Sequence, residues 1–238
     1  MGADFRDYDN DGLPDIAVTA LAGETFPLFR NQGNGFFRDA TDASGLSVLS
    51  GRRSGWGVAL ADFNNDGWKD LFAANSHVTD NIDLFSKDRY RQPNSLFVNA
   101  GGVFREPAVP FTAEAAHRGS AVADFDNDGR LDVAVSVLGG EAELWRNVTT
   151  GTRQWVGLKL EGTRSNRSAI GARVRLGSQW NDVTSGSSYA SSALAAVHFG
   201  LGEQASTGEL EIFWPGGARQ ALRNVPPGRV IAVREPTK

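Results

Sequence analysis

Short apolar runs rich in β-branched and small residues recur along the first half of the chain: IAVTA (16–20), LFAAN (71–75) and VAVSV (133–137). Their length and composition predict strands. Each is followed, after a variable stretch, by a second strand candidate ending in asparagine, PLFRN (27–31), SLFVN (95–99) and ELWRN (143–147). The last two copies also carry a strand ahead of the unit, GWGVALADF (55–63) and GSAVADF (119–125). The first copy has only Met1 to Arg6 there, so the chain reads as starting within a truncated repeat. Beyond Trp155 the pattern stays β-like, with WVGLKLEG, ARVRLG, WNDVTSG, LAAVHFG, LEIFWPGG, ARQALRNV and RVIAVRE separated by Gly, Pro and Ser signals.

Repeats of this size, each made of several short strands, predict blades of a β-propeller, which closes at four to eight blades. The expected fold is all-β: a partial propeller of about three blades over residues 1–148, a junction at 149–154, and a small β-sandwich-like domain over 155–238. An open set of blades exposes strand edges that something must cover.

The loops ahead of the strands carry the chemistry. DYDNDGLPD (7–15), DFNNDGWKD (62–70) and DFDNDGRLD (124–132) share Asp at positions 1, 5 and 9, Asp or Asn at 3, and Gly at 6. A hard cation takes six to eight oxygens, and alternate positions of a tight loop can point carboxylates inward while Gly allows the turn. The predicted Ca²⁺ ligands are Asp7, Asp9, Asp11, Leu13 and Asp15; Asp62, Asn64, Asp66, Trp68 and Asp70; and Asp124, Asp126, Asp128, Arg130 and Asp132, about three ions in all. Leu13, Trp68 and Arg130 share no side-chain chemistry, so only their carbonyls are expected to take part. The second site is expected to be weakest, because Asn64 replaces a carboxylate. Position 12 is Val18, Ala73 and Val135, inside strands, where an EF-hand needs Glu. Solvated acidic turns are the plain alternative, and catalytic carboxylates a third reading; acid–base pairs need unlike environments, whereas these loops look alike.

The formal net charge of −4 hides an asymmetry: residues 1–150 hold 22 acidic and 13 basic side chains, residues 151–238 hold 6 and 11. The acidity is concentrated in the loops, and no basic run points to nucleic acid. With no cysteine, a disulfide framework, a zinc-thiolate site and a cysteine nucleophile are excluded. No apolar run is long enough to span a membrane, and MGADFRDYDNDG is not a signal peptide.

The loops with their flanking strands resemble the FG-GAP or VCBS-type repeat of calcium-stabilised propellers, over roughly residues 1–148. From Trp155 the stretches WVGLKLEG, NRSAIGARV, SGSSYASS, VHFGLG and IFWPGG resemble the ASPIC/UnbV domain of the cartilage acidic protein family and its bacterial relatives. That resemblance implies a secreted or cell-surface protein, non-catalytic, engaging a protein or glycan at the extracellular surface.

The leading expectation is therefore a calcium-binding adhesion or interaction scaffold, with segment 76–94 as its contact loop. The alternatives are a polysaccharide-acting enzyme using the repeats as scaffold, and an assembly module that self-associates through open blade edges. His77, His117 and His198 fit no metal spacing, and Ser187, Ser188, His198 and Asp182 lack a nucleophile elbow. Trp56, Trp145, Trp155 and Trp214 are expected in the core, Trp68 and Trp180 at the surface. Asn147 and Asn166 fit a glycosylation pattern short enough to arise by chance.

Overall fold

The computed structural model describes residues 1–151, 153–193 and 196–237. Each repeat forms an antiparallel, up-and-down sheet. The first has strands Ala3–Arg6, Asp15–Val18, Leu28–Asn31 and Phe37–Asp39, and the second Gly55–Ala61, Asp70–Asn75, Ser95–Ala100 and Val103–Arg105. The third has His117–Ala123, Asp132–Val137 and Glu143–Trp145. The leading strand that the sequence left in doubt for the first repeat is present, at four residues rather than seven.

The acidic loop joins the first two strands of every blade, so its last Asp opens the second strand and pairs with the end of the first: Arg6 with Asp15, Ala61 with Asp70, Ala123 with Asp132. Strand alternation then sends successive side chains of the second strand to opposite neighbours. Leu71 and Ala73 join a core with Ala17, Phe26 and Leu28 of blade one. Phe72 and Ala74 join another with Val133 and Val135 of blade three. A middle blade thus buries both faces, which explains the continuous run LFAAN. The one α-helix among the described residues, Leu46–Ser50, is an addition to the all-β expectation and buries Leu46 in the first of these cores.

After residue 153 two sheets close on one another. One orders Val197–Gly202, Gln154–Glu161 and Arg229–Arg234, the last pair parallel; the other orders Gln179–Asp182, Arg173–Leu176, Glu209–Phe213 and Arg219–Arg223. Val156, Leu158, Phe199, Leu210, Ile212 and Trp214 fill the space between them, the small sandwich that the sequence predicts. Glu235 ties the chain end to the loop after the first strand, accepting from the backbone N–H of Thr163, Arg164 and Ser165 and from the Ser165 hydroxyl. Burial pushes its carboxyl up, but these donors outweigh that and hold it at about 2.

A small hairpin, Gly186–Ser187 with Ser191–Ser192, reaches back to the inner strands of the blades. Ser188 donates from its backbone to Ala3 O at 3.2 Å and accepts the Val58 N–H on its hydroxyl. Tyr189 packs edge-on against Trp56, centroids 4.9 Å apart. Asp4 accepts the Leu60 N–H at 2.8 Å. Inner-strand donors that have no ladder partner are satisfied in this way.

Candidate metal centre at the acidic loops

The three loops fold by the same hydrogen bonds. The position-1 carboxylate accepts the N–H groups of positions 5 and 6: Asp7 from Asp11 and Gly12, Asp62 from Asp66 and Gly67, Asp124 from Asp128 and Gly129, at 2.7–3.2 Å. The position-5 carboxylate accepts from position 7, at 2.9 Å in Leu13, Trp68 and Arg130 alike. The position-9 carboxylate clamps the loop entry to the third strand: Asp15 accepts from Tyr8 and Asn31, Asp70 from Phe63 and Asn99, Asp132 from Phe125 and Asn147. Asn10, Asn65 and Asn127 at position 4 and the glycines at position 6 take positive φ, which closes the turn.

The loops differ in how their charge is compensated. In the first, Asp7, Asp9 and Asp15 each bring one oxygen within 4.8 Å of the others. Asp9 Oδ1 is buried with no hydrogen-bond partner among the described residues. Burial, with the neighbouring carboxylates adding to it, raises Asp7 and Asp9 above the usual range and Asp15 to about 7. Arg30 offsets part of the charge, reaching Asp9 at 2.5 Å and Asp11 at 3.0 Å. The third loop groups Asp124, Asp126 and Asp128 in a more open setting, where Arg146 lies 2.6 Å from Asp126 and Arg130 turns back onto Asp128. The Arg130 side chain thus compensates charge within its own loop. The second loop holds no cluster of three carboxylates among the described residues; burial lifts Asp62 to about 7 and Asp70 well above its ordinary value, and Arg153 stands 3.5 Å from Asp66. The first loop fits a hard cation best, since among the described residues it alone leaves a buried carboxylate oxygen without a donor.

Two sets of contacts join the loops to the rest of the molecule. Asn10 Nδ2 donates to Gly67 O at 2.9 Å and Asn65 Nδ2 to Gly129 O at 3.0 Å, so each loop grips the next. The strand-end asparagines return the grip: Asn99 Nδ2 donates to Tyr8 O and Asn147 Nδ2 to Phe63 O. Asn repeats at position 4 in every copy, a signal that attention to the acidic positions passes over. The Asn147 amide is thus engaged on both blades, which argues against glycosylation there.

The C-terminal sandwich sits on the same loops. A Cβ on Gly12 would meet Trp180, one on Gly67 would meet Gln179, and one on Gly129 would overlap the Trp155 indole. Arg173 donates to Gly12 O at 3.0 Å, and His198 Nε2 lies 2.7 Å from Asn65 Oδ1 while its ring stacks on Trp155. Lys69, fully enclosed, donates to Asp7 O at 2.8 Å and Trp180 O at 3.0 Å. Trp180 therefore belongs to this interface rather than to an exposed turn, and of the four tryptophans expected in the core only Trp214 is fully buried. Trp68 is half-buried within its loop. His117, wholly buried, contacts Asn75 O, Gln92 O and Glu143. Segment 76–94 is anchored by buried Ser76, His77, Ile82, Gln92 and Asn94, with Leu84 and Phe85 exposed at its crest. No helix among the described residues is long and apolar enough to cross a membrane.

Comparison with known proteins matches residues 7–73 and 81–135 to the FG-GAP-like repeat and residues 162–238 to the ASPIC and UnbV family. Cartilage acidic protein 1 of Homo sapiens is 27% identical over 87% of this chain, and that of Xenopus tropicalis 27% identical over 94%. The chain spans 40% and 43% of the length of these two relatives. With three matching loops in three successive blades and the second module seated upon them, the chain belongs to the FG-GAP-like repeat family and carries an ASPIC and UnbV module behind its repeats.

Proposed function

We propose that this chain is a calcium-dependent interaction scaffold of the extracellular surface, secreted or cell-surface in location and not itself an enzyme. The observation that carries the calcium reading is the unpartnered, buried Asp9 Oδ1 among the converging carboxylates of the first loop. A cation there supplies the positive charge that Arg30, on the outer side of Asp9 and Asp11, supplies only in part. Asp7, Asp9, Asp11 and Asp15 with the Leu13 carbonyl would hold the first ion; the corresponding residues of the third loop would hold a second, more weakly, and those around Asn64 a third, weakest of all.

The scaffold reading rests on where the loops sit. They link blade to blade and carry the sandwich, so cation binding would stiffen both joints at once and fix the exposed crest of segment 76–94 relative to the sandwich. The relatives' name and the repeat type support an extracellular setting, where calcium is abundant enough for modules of modest affinity. A protein or glycan is the expected partner at that crest.

Thermal melts of chelator-treated protein across a calcium series, with magnesium in parallel, test this. A ligand that binds only the folded state stabilises it by about 2.7 kcal/mol at 100 times its Kd. A rising Tm with calcium and a smaller rise with magnesium is expected; an unchanged Tm at millimolar calcium rejects the proposal.

A further inference from the structure

Eleven arginines stand in residues 1–150, and five of them, Arg6, Arg30, Arg89, Arg130 and Arg146, lie within 3.5 Å of a carboxylate. Six have no such partner among the described residues. Arg38 and Arg105 are on the outermost strands of blades one and two. The other four, Arg52, Arg53, Arg91 and Arg118, gather at one place. It is internal to the repeat series, built from the link between blades one and two, the insertion of blade two and the first strand of blade three.

Three segments run side by side there. Ser76 N donates to Ser54 O at 2.9 Å, Ser76 pairs with Arg91 in an antiparallel bridge, and Ser54 N donates to Gln92 Oε1 at 2.9 Å. Neighbouring strands lie about 4.8 Å apart, so Ser54 and Arg91 stand about 10 Å from each other on either side of Ser76. Arg52 and Arg53 lead directly into Ser54. Arg118 reaches in from blade three, donating to Ser76 Oγ, to His117 O at 2.8 Å and to the Tyr90 hydroxyl at 3.4 Å. Its guanidinium lies 4.3 Å over the Trp56 ring and 5.9 Å from the Tyr90 centroid. A planar donor stacked in this way loses little freedom when it takes an anion.

The positive charge of the cluster is open to solvent and uncompensated. Arg52 and Arg91 are exposed, Arg53 and Arg118 half-buried. The guanidinium groups of Arg52, Arg53 and Arg91 make no hydrogen bond among the described residues. Acidic side chains around them are engaged elsewhere: Glu114 with Arg89 at 3.2 Å, Asp83 with the Tyr90 N–H, Asp88 with the Ser86 hydroxyl and Glu24 with the Leu21 N–H. In a chain of net charge −4, such a cluster acts locally.

We infer that this cluster binds a sulfated or carboxylated polysaccharide, which deepens the proposed scaffold function and rests on its extracellular setting. Guanidinium forks pair bidentately with sulfate and carboxylate groups. The spread from Arg53 to Arg91 suits anionic groups carried at intervals along an extended chain. Tyr90 and Trp56, half-buried beside Arg118, offer apolar ring surface to the sugar units between those charges.

Retention of the whole chain on immobilised heparin, dextran sulfate, unsulfated dextran and poly-glutamate, at about 0.15 M salt, tests this. The wild type is expected to hold to the two sulfated probes, to elute as salt rises and to pass over dextran. Arg53→Gln with Arg91→Gln should weaken heparin binding at least about tenfold, through the loss of two charge-assisted contacts. Arg38→Gln with Arg105→Gln, which removes equal charge elsewhere, should change it less than about twofold. Both double variants are first shown to melt as the wild type does. A wild type that does not bind heparin, or equal weakening by the two double variants, overturns the inference. Poly-glutamate binding as tight as heparin binding also overturns it, assigning the surface to an acidic peptide. Calcium-series melts of the same protein keep the two readings apart. Heparin binding with no Tm response to calcium rejects the calcium reading alone, and a Tm response without heparin binding overturns this inference alone.

Discussion

Asn65 Nδ2 donates to the carbonyl of Gly129 at 3.0 Å, across the joint between the second and third blades. The opposite end of the same amide meets His198 of the sandwich at 2.7 Å, so one buried side chain connects two blades and the C-terminal module. Its φ of 58° is one that Gly adopts without strain. Asn65→Gly therefore removes the side chain and little else. Leaving the Gly129 carbonyl and the His198 ring unpaired should cost about 2–4 kcal/mol in urea unfolding. Asn127→Gly, at φ 59° but exposed, should change stability by less than about 0.5 kcal/mol.

Gly129→Ala separates close approach from backbone strain. Its φ is 86°, and the added methyl would overlap the Trp155 ring. Gly23, with φ 89°, has open space around it. Gly23→Ala should cost about 1 kcal/mol through conformation alone. Gly129→Ala should cost at least about 2 kcal/mol more, because the sandwich must move off the third loop. Protease cleavage within residues 149–154 should quicken in Gly129→Ala only.

Proton release on calcium binding follows from the raised carboxyls. Burial holds Asp15 and Asp62 at about 7, well above the ordinary value of 3.8. Folded pKa values above the unfolded ones mean that, without metal, stability from these groups is greatest in acid and declines as pH rises through about 7. A bound cation reverses this by favouring the ionised form, so binding near pH 7 should expel protons. Calorimetry in buffers of different ionisation enthalpy should show a buffer-dependent heat that is larger at pH 6 than at pH 7 and fades toward pH 8.5.

Acid should loosen the sandwich from the second loop. Burial lowers His198 from 6.5 to about 4. A depressed value means that the unfolded chain takes up the proton first, so the stability of the neutral ring is complete above about 6.5 and is lost as pH falls toward 4. His198→Asn should flatten the stability profile between pH 6.5 and 4 relative to wild type.

Glu235 supplies a separate acid effect. Its carboxyl is held at about 2 against an ordinary 4.5, so its contribution is present above 4.5 and disappears as pH falls toward 2. Glu235→Gln should lower the Tm at pH 7 and match the wild type at pH 2.

The repeats, the acidic loops and the strands around them were legible because each is local: a fixed spacing of Asp and Gly, and β-rich runs beside it. The seating of the sandwich was not, since Gly12 and Trp180, or Gly129 and Trp155, meet only after both modules fold. Those glycines read as turn residues, and their second role in admitting an indole leaves no mark in the loop's own pattern. The tryptophans misled for the same reason. Trp155 and Trp180 occupy strand patterns or turn edges in one module while their partners lie in another. Asn10, Asn65 and Asn127 were visible as a repeated letter, but an amide that bonds a neighbouring blade looks like an ordinary turn former in sequence.

The most direct measurement is calorimetric calcium titration of chelator-stripped protein beside Asp9→Asn, a change that leaves the backbone hydrogen bonds of its loop intact. About three binding events are predicted for the wild type, with the tightest lost or weakened at least tenfold in Asp9→Asn. No heat at millimolar calcium, or a titration that Asp9→Asn leaves unchanged, would contradict calcium binding at the first loop and return the three loops to hydrogen-bonded acidic turns.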